Sequence, residues 1–212
     1  MKLLITGFEP FGGEAMNPSW EAVRLLPDEI AGAQIIKKQI PVAFDRGREV
    51  LAEEVSMHHP DMVLCVGQAG GAAAIAVERI GINLIDARIA DNDGKQPVDV
   101  PIREDGENAY FSTLPVKAMA TRIRAAGVKA ELSYSAGSYV CNTLLYEALY
   151  LADKFYPQMK AGFIHVPFVP EQTEGKPDTP SMELSDMVKG LLAAIEAAVG
   201  GQEIHMPMGT LQ

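Results

Sequence analysis

The stretch Asp61-Met62-Val63-Leu64-Cys65-Val66, closed by Pro60 on one side and Gly67 on the other, constrains the fold more than any other feature of this chain. A short apolar run with no alternating polar positions is the pattern of a strand covered on both faces. Such a strand needs helices above and below its sheet, and the rest of the chain supplies strand and helix signals in turn. Lys2 to Thr6 is a second apolar segment, running into Gly7 and the pair Gly12-Gly13 as strand and tight loop. Asn17-Pro18 has the form of an N-cap followed by proline at the first helical position. Trp20, Val23 and Leu26 then recur at helical spacing until Pro27. Residues 34–41 read as a strand, and 44–58 as a helix with Val50, Leu51 and Val55 on one face.

Residues 73–77 and 82–85 read as further strands, whereas 88–112 carry turn signals without a sustained period. A helix is expected over 116–126, stopped by Gly127, then a strand over 129–135, a helix over 142–155 and a buried strand over 161–166. After a polar, proline-bearing loop at 171–180, residues 181–199 form an apolar helical stripe ended by Gly200-Gly201. Alternating strands and helices, several strands wholly apolar, predict an α/β layered fold with a largely parallel sheet. With 212 residues and no linker or repeat, one domain over residues 1–199 is expected, followed by a tail at 200–212. That tail is expected to be disordered or engaged in subunit contacts.

The charge balance is acidic, 28 acidic against 18 basic side chains, for a net charge of −10. Such a surface repels phosphate backbones and anionic bilayers, so neither nucleic acid nor membrane is expected as a partner. No apolar run approaches the ~18 residues of a membrane span, and the opening segment is too short for a signal peptide. Two cysteines make no disulfide framework, which favours a reducing, cytoplasmic compartment.

Several chemistries are excluded by spacing. The loop Gly7-Phe8-Glu9-Pro10-Phe11-Gly12-Gly13 lacks the dinucleotide-binding glycine pattern, and no Walker-type phosphate loop occurs. Gly67-Gln68-Ala69-Gly70-Gly71 is a weak anion cradle at most. His58 and His59 are adjacent, no C-x-x-C is present, and no metal or other cofactor is expected. Cys141 differs from Cys65. It follows the run Ser135-Ala136-Gly137-Ser138 and precedes a helix, where free N–H groups and the helix dipole favour a thiolate. Cys65, mid-strand, reads as a small buried residue. His165 stands at the C-terminal end of a buried strand, the edge where sites assemble in parallel sheets, and suits a general base for Cys141. Glu78 interrupts an apolar stretch and is a candidate to orient the imidazole. Spacing alone leaves Asp86 and Asp91 as rival carboxylates.

Five segments in order resemble the pyroglutamyl peptidase I (pyrrolidone-carboxylate peptidase) family of cysteine peptidases: the glycine loop at 7–13, Glu78-Arg79-Ile80-Gly81-Ile82-Asn83, the segment 86–92, the segment 135–142 around Cys141, and Gly162-Phe163-Ile164-His165-Val166-Pro167. The resemblance implies Cys141 as nucleophile, His165 as base and Glu78 as orienting carboxylate. It implies an oxyanion site made by the Cys141 backbone N–H and the Arg88 guanidinium. Phe8 and Phe11 then face a lactam ring, with Gln68, Ile89 and Val140 lining the pocket. It further implies a three-layer α/β/α sandwich around a mixed sheet, a homotetramer, and peptides with an N-terminal pyroglutamyl residue as substrates. Two alternatives stand beside it: a phosphate-dependent nucleoside phosphorylase-like enzyme and a non-catalytic small-molecule binding module.

Overall fold

A computed structural model describes residues 1–209 of the chain. In chain order the elements are β1 (Lys2–Phe8), α1 (Pro18–Arg24), β2 (Glu29–Ile30), β3 (Ala33–Ile40), α2 (Phe44–His58), β4 (Met62–Gln68), β5 (Ile75–Glu78), β6 (Ile80–Ile82), β7 (Ala109–Phe111), α3 (Val116–Ala125), β8 (Ala130–Ser133), α4 (Val140–Lys154), β9 (Lys160–Val166) and α5 (Leu184–Gly200). Among the described residues seven strands form the central sheet, in the order β2-β3-β1-β4-β9-β5-β8. Strands β3, β1, β4 and β9 run parallel, β5 is antiparallel to β9, and β8 is parallel to β5. The sheet is therefore mixed and largely parallel. Among the described residues no helix is long and apolar enough to cross a membrane.

Period-two alternation along each strand sorts the side chains into two cores. Leu3, Ile5, Leu64, Val66, Ile75, Val77, Ile164 and Val166 pack on one face with residues of α1, α3 and α5. Leu4, Val63, Cys65, Ala161 and Phe163 pack on the other with residues of α2 and α4. Both faces of β4 and β9 are thus apolar, which is why those strands lack alternation. The three layers are helices, sheet, helices.

The remaining differences from the sequence reading lie at element ends and in the turn-rich region. Strand β5 stops at Glu78, and the next one starts at Ile80, so a two-stranded antiparallel ribbon of β6 with β7 stands apart from the main sheet. The ribbon's second strand comes from the region that carries only turn signals. Helix α4 begins at Val140, two residues ahead of the expected start, which puts Cys141 inside its first turn. Asn142 anchors that turn to the ribbon. Its side-chain oxygen accepts the Ile82 N–H at 3.0 Å, and its amide donates to the carbonyls of Ile82 at 2.9 Å and Leu84 at 3.1 Å.

Beyond α5, residues 201–209 run against α3 of the same chain. The Glu203 carboxylate accepts the Lys117 N–H at 3.2 Å and the Ala118 N–H at 2.9 Å, and the Lys117 ammonium donates to the Met206 carbonyl at 2.7 Å. The part of the expected tail over 210–212 lies outside the described residues.

Candidate active site

Alternation fixes the face on which chemistry can occur. On β9, His165 follows Ala161 and Phe163 at two-residue steps, so it points to the α4 side of the sheet. On β5, Ile75 and Val77 serve the opposite core, leaving Ala76 and Glu78 on the α4 side. The antiparallel register pairs Ala76 with His165 and Glu78 with Phe163, which makes Glu78 and His165 diagonal neighbours. Their side chains meet: His165 Nδ1 lies 2.7 Å from Glu78 Oε1. Both groups are buried, at 7% and 1% exposure.

Cys141 reaches the same spot from the first turn of α4, half-buried, and its thiol is within hydrogen-bonding reach of the imidazole. At a helix start the first N–H groups have no partners within the helix and the dipole is positive, so negative charge on sulfur or on an adjacent oxygen is favoured there. Gly67, beneath the sulfur on β4, makes room for it. A Cβ on Gly67 would stand 2.8 Å from Cys141 Sγ and 2.7 Å from the Phe163 ring. Burial alone would hold the His165 imidazolium below its usual range. The charge and hydrogen bond of Cys141, then the hydrogen bond and charge of Glu78, outweigh burial and push its pKa up to about 10. The arrangement favours a protonated ring held between a sulfur and a carboxylate. Cys65, fully enclosed, is the opposite case: burial pushes its thiol up to about 12.

These groups open into a cavity of about 410 Å³. Phe8, Phe11, Val42, Tyr139 and Val140 line its apolar side, and Gln68 its floor. The aromatic wall is braced from behind, since the Tyr139 ring meets Phe44 edge-on at 5.2 Å and its hydroxyl donates to the Ala90 carbonyl at 3.0 Å. Gln68 accepts a hydrogen bond from the Gln172 amide at 3.0 Å, which ties the 171–180 loop to the cavity floor. Ala76, Glu131, Ser133 and Ser135 continue the lining past Glu78.

Of the residues singled out from sequence, the cavity gathers Cys141, His165, Glu78, Phe8, Phe11, Gln68 and Val140. Arg88 and Ile89 are exposed and lie outside its lining. Their loop is nonetheless fastened to the segment ahead of the cysteine: the Asp86 N–H donates to the Ser138 carbonyl at 3.0 Å and the Ser138 hydroxyl to the Asp86 carbonyl at 2.8 Å. The rival carboxylates have other surroundings. Asp86 is exposed, and the buried Asp91 accepts the Phe44 N–H at 2.9 Å and the Lys95 N–H at 2.8 Å, which closes its own turn and caps α2. Tyr139 and Glu131 were not signalled by spacing. Tyr139 is flagged only by its place two residues before the cysteine, and Glu131 only by strand pairing.

Comparison with known proteins identifies the family. A family model described as pyroglutamyl peptidase matches residues 1–201. A pyrrolidone-carboxylate peptidase of Streptococcus suis is 55% identical over 199 residues, covering 94% of this chain and 93% of that protein. One from Lactobacillus johnsonii is 54% identical over the same shares. The crystal structure of pyroglutamyl peptidase I from Bacillus amyloliquefaciens superposes with a TM-score of 0.93 at 44% identity, covering 97% of this chain and 99% of that one. The pyrrolidone carboxyl peptidase from Thermococcus litoralis gives 0.93 at 39% identity, again covering 97% and 99%. Neither the phosphorylase-like reading nor that of a passive binding module gains support from these relatives. The chain belongs to the pyroglutamyl peptidase family.

Proposed function

We propose that this protein is a cysteine exopeptidase that hydrolyses the amide bond after an N-terminal pyroglutamyl residue, using Cys141 as nucleophile, His165 as acid and base, and Glu78 as the carboxylate that holds His165. The observation that carries the reading is the contact chain from the sulfur through the imidazole to a buried carboxylate, at the mouth of an apolar cavity. A pyroglutamyl ring is small, neutral and has no α-ammonium. Aromatic and aliphatic walls at Phe8, Phe11 and Val140, with Gln68 supplying a polar contact, suit it better than a site built around a charge.

The thiolate of Cys141 attacks the pyroglutamyl carbonyl carbon, and the carbonyl electron pair moves onto oxygen. The resulting oxyanion meets the backbone N–H of Cys141 at the start of α4. Arg88, on the loop tied to Ser138, supplies the second donor when a peptide is bound. Collapse of this intermediate breaks the C–N bond while the His165 imidazolium gives its proton to the departing amine. Water then attacks the thioester, losing a proton to His165, and pyroglutamate leaves as the thiol reforms. Every proton moves between groups present in the chain or in water, and no cofactor enters. A cytoplasmic, homotetrameric enzyme is the accompanying expectation, carried by the family resemblance and the two unpaired cysteines.

Steady-state hydrolysis of a pyroglutamyl anilide tests the proposal. Cys141→Ala is expected to lower kcat by about a thousandfold or more, as loss of a nucleophile does in other triads. Near-normal turnover by that variant refutes the assignment.

A further inference from the structure

The cavity runs on past the catalytic groups, and one of its side chains has no part in the chemistry above. Across three neighbouring strands the register sets His165, Ala76 and Glu131 in a row: Ala76 pairs with His165 on β9 and with Glu131 on β8. Ala76 and Glu131 line the same cavity as His165, so all three present their side chains to it. Two strand spacings of about 4.8 Å put the Glu131 backbone about 10 Å from that of His165. Between them Ala76 offers only a methyl group, which leaves a shallow floor, and Ser135 and Gly137 form the adjoining wall. Glu131 itself is exposed and has no ion-pair partner among the described residues.

The direction of the reaction assigns this end of the cavity. The apolar wall of Phe8 and Phe11 belongs to β1 and the loop after it, on the far side of β4, whereas His165, Ala76 and Glu131 lie successively toward the opposite edge. A ring bound at the first end sends its scissile bond over Cys141 and its leaving amine toward His165, the group that must protonate it. The residue bearing that amine then lies over Ala76, with its side chain reaching toward Glu131. We infer that Glu131 is a specificity-determining residue for the position following pyroglutamate, and that it selects a lysine or arginine there. A carboxylate one side-chain length from the leaving nitrogen attracts a long cationic side chain and repels an acidic one.

The inference rests on the proposed peptidase activity, and the test separates the two. The full-length chain is assayed with pyroglutamyl-lysine amide, pyroglutamyl-glutamine amide, pyroglutamyl-glutamate amide and pyroglutamyl-alanine amide. The wild type is expected to favour lysine over glutamine by about fivefold in kcat/KM, the upper range for an exposed ion pair, with glutamate below both. Glu131→Gln brings the lysine-to-glutamine ratio to about one, and Glu131→Lys turns the preference toward glutamate, while both variants still cleave the alanine substrate. Glu29→Gln, an equal change of charge at the other edge of the sheet, leaves the ratio unchanged. A wild type that cleaves the alanine substrate but shows no lysine preference overturns the role of Glu131, as does a preference that survives Glu131→Gln. Failure to cleave any pyroglutamyl amide overturns the activity instead.

Discussion

The charge on His165 is set by two neighbours that act against its burial. Enclosure favours the neutral ring, whereas Cys141 and Glu78 both favour the cation, and their sum lifts the pKa to about 10. The sign of a Glu78→Gln substitution follows directly. Removing the carboxylate's charge removes part of the upward push, so the ring loses its proton at lower pH. If the imidazolium protonates the leaving amine, the alkaline limb of the kcat/KM profile moves to lower pH in Glu78→Gln, with a smaller fall in kcat than in Cys141→Ala. A pH–rate profile of the variant checks this, and an unmoved alkaline limb would separate Glu78 from the charge on the ring. Gly67 acts through space alone. An added methyl meets the sulfur and the Phe163 ring inside ordinary contact distance. Gly67→Ala is therefore expected to cut kcat about ten- to a hundredfold with little change in KM, because displacement of a nucleophile by a fraction of an ångström costs alignment before it costs binding. Equal kcat in the two proteins would show that the sulfur has room to move. Cys141 and His165 were legible as a pair because helix starts and strand ends meet at one rim in any parallel sheet. The choice of Glu78 over Asp86 and Asp91 was not legible from spacing, since it depends on a diagonal contact between two strands 87 residues apart in sequence.

At the scale of elements, the starts of helices hold the molecule's less local features. Helix α3 follows Pro115, which has no side-chain cap to offer, and the carboxylate of Glu203 fills the role from beyond α5. A carboxylate on two free N–H groups of a first turn is also well placed for the helix dipole. Glu203→Ala is expected to cost about 1 kcal/mol, which for a chain of this size lowers Tm by roughly 2–4 °C. Thermal unfolding of the variant measures it, and an unchanged Tm would show that solvent caps α3 as well as Glu203 does. Nothing local announces such a partner, so residues 200–212 look featureless in the sequence. By contrast α2 is visible over its whole length from Phe44 to His58, because its apolar face is a local signal, although its N-terminal cap, Asp91, is not. The direction of β5 is hidden for the same reason that Glu203 is. A strand of four residues reads alike whichever way it runs, and only its pairing with β9 makes it antiparallel to that strand. That reversal has a consequence for the site, since it brings Ala76 level with His165 and turns Glu78 back under the ring.

Taken whole, the molecule separates two thiols that differ only in where the layers place them. Cys65 lies mid-strand on β4 near the middle of the sheet, with α2 and α4 residues packed over it, at 0% exposure. Burial lifts its pKa to about 12, so near pH 8 almost none of it is thiolate even where a reagent could arrive. Reaching it requires separating α4 from the sheet, and α4 carries much of that face's core, so the opening amounts to loss of the fold. Cys141 stands on the rim, half-buried and open to the cavity. Iodoacetamide is thus expected to modify one thiol per chain in the native protein, with hydrolysis of a pyroglutamyl amide lost in step. The second thiol is expected to react only across the denaturant range in which helical circular dichroism disappears. Peptide mapping assigns each event to its residue. Native labelling of Cys65 at a rate near that of Cys141 would mean that the face opens locally, without global unfolding. Activity retained after full modification of Cys141 would leave the sulfur outside the reaction. The experiment thus reads one structural fact twice, because the layering that hides the strand cysteine is what holds the helix-start cysteine against the imidazole.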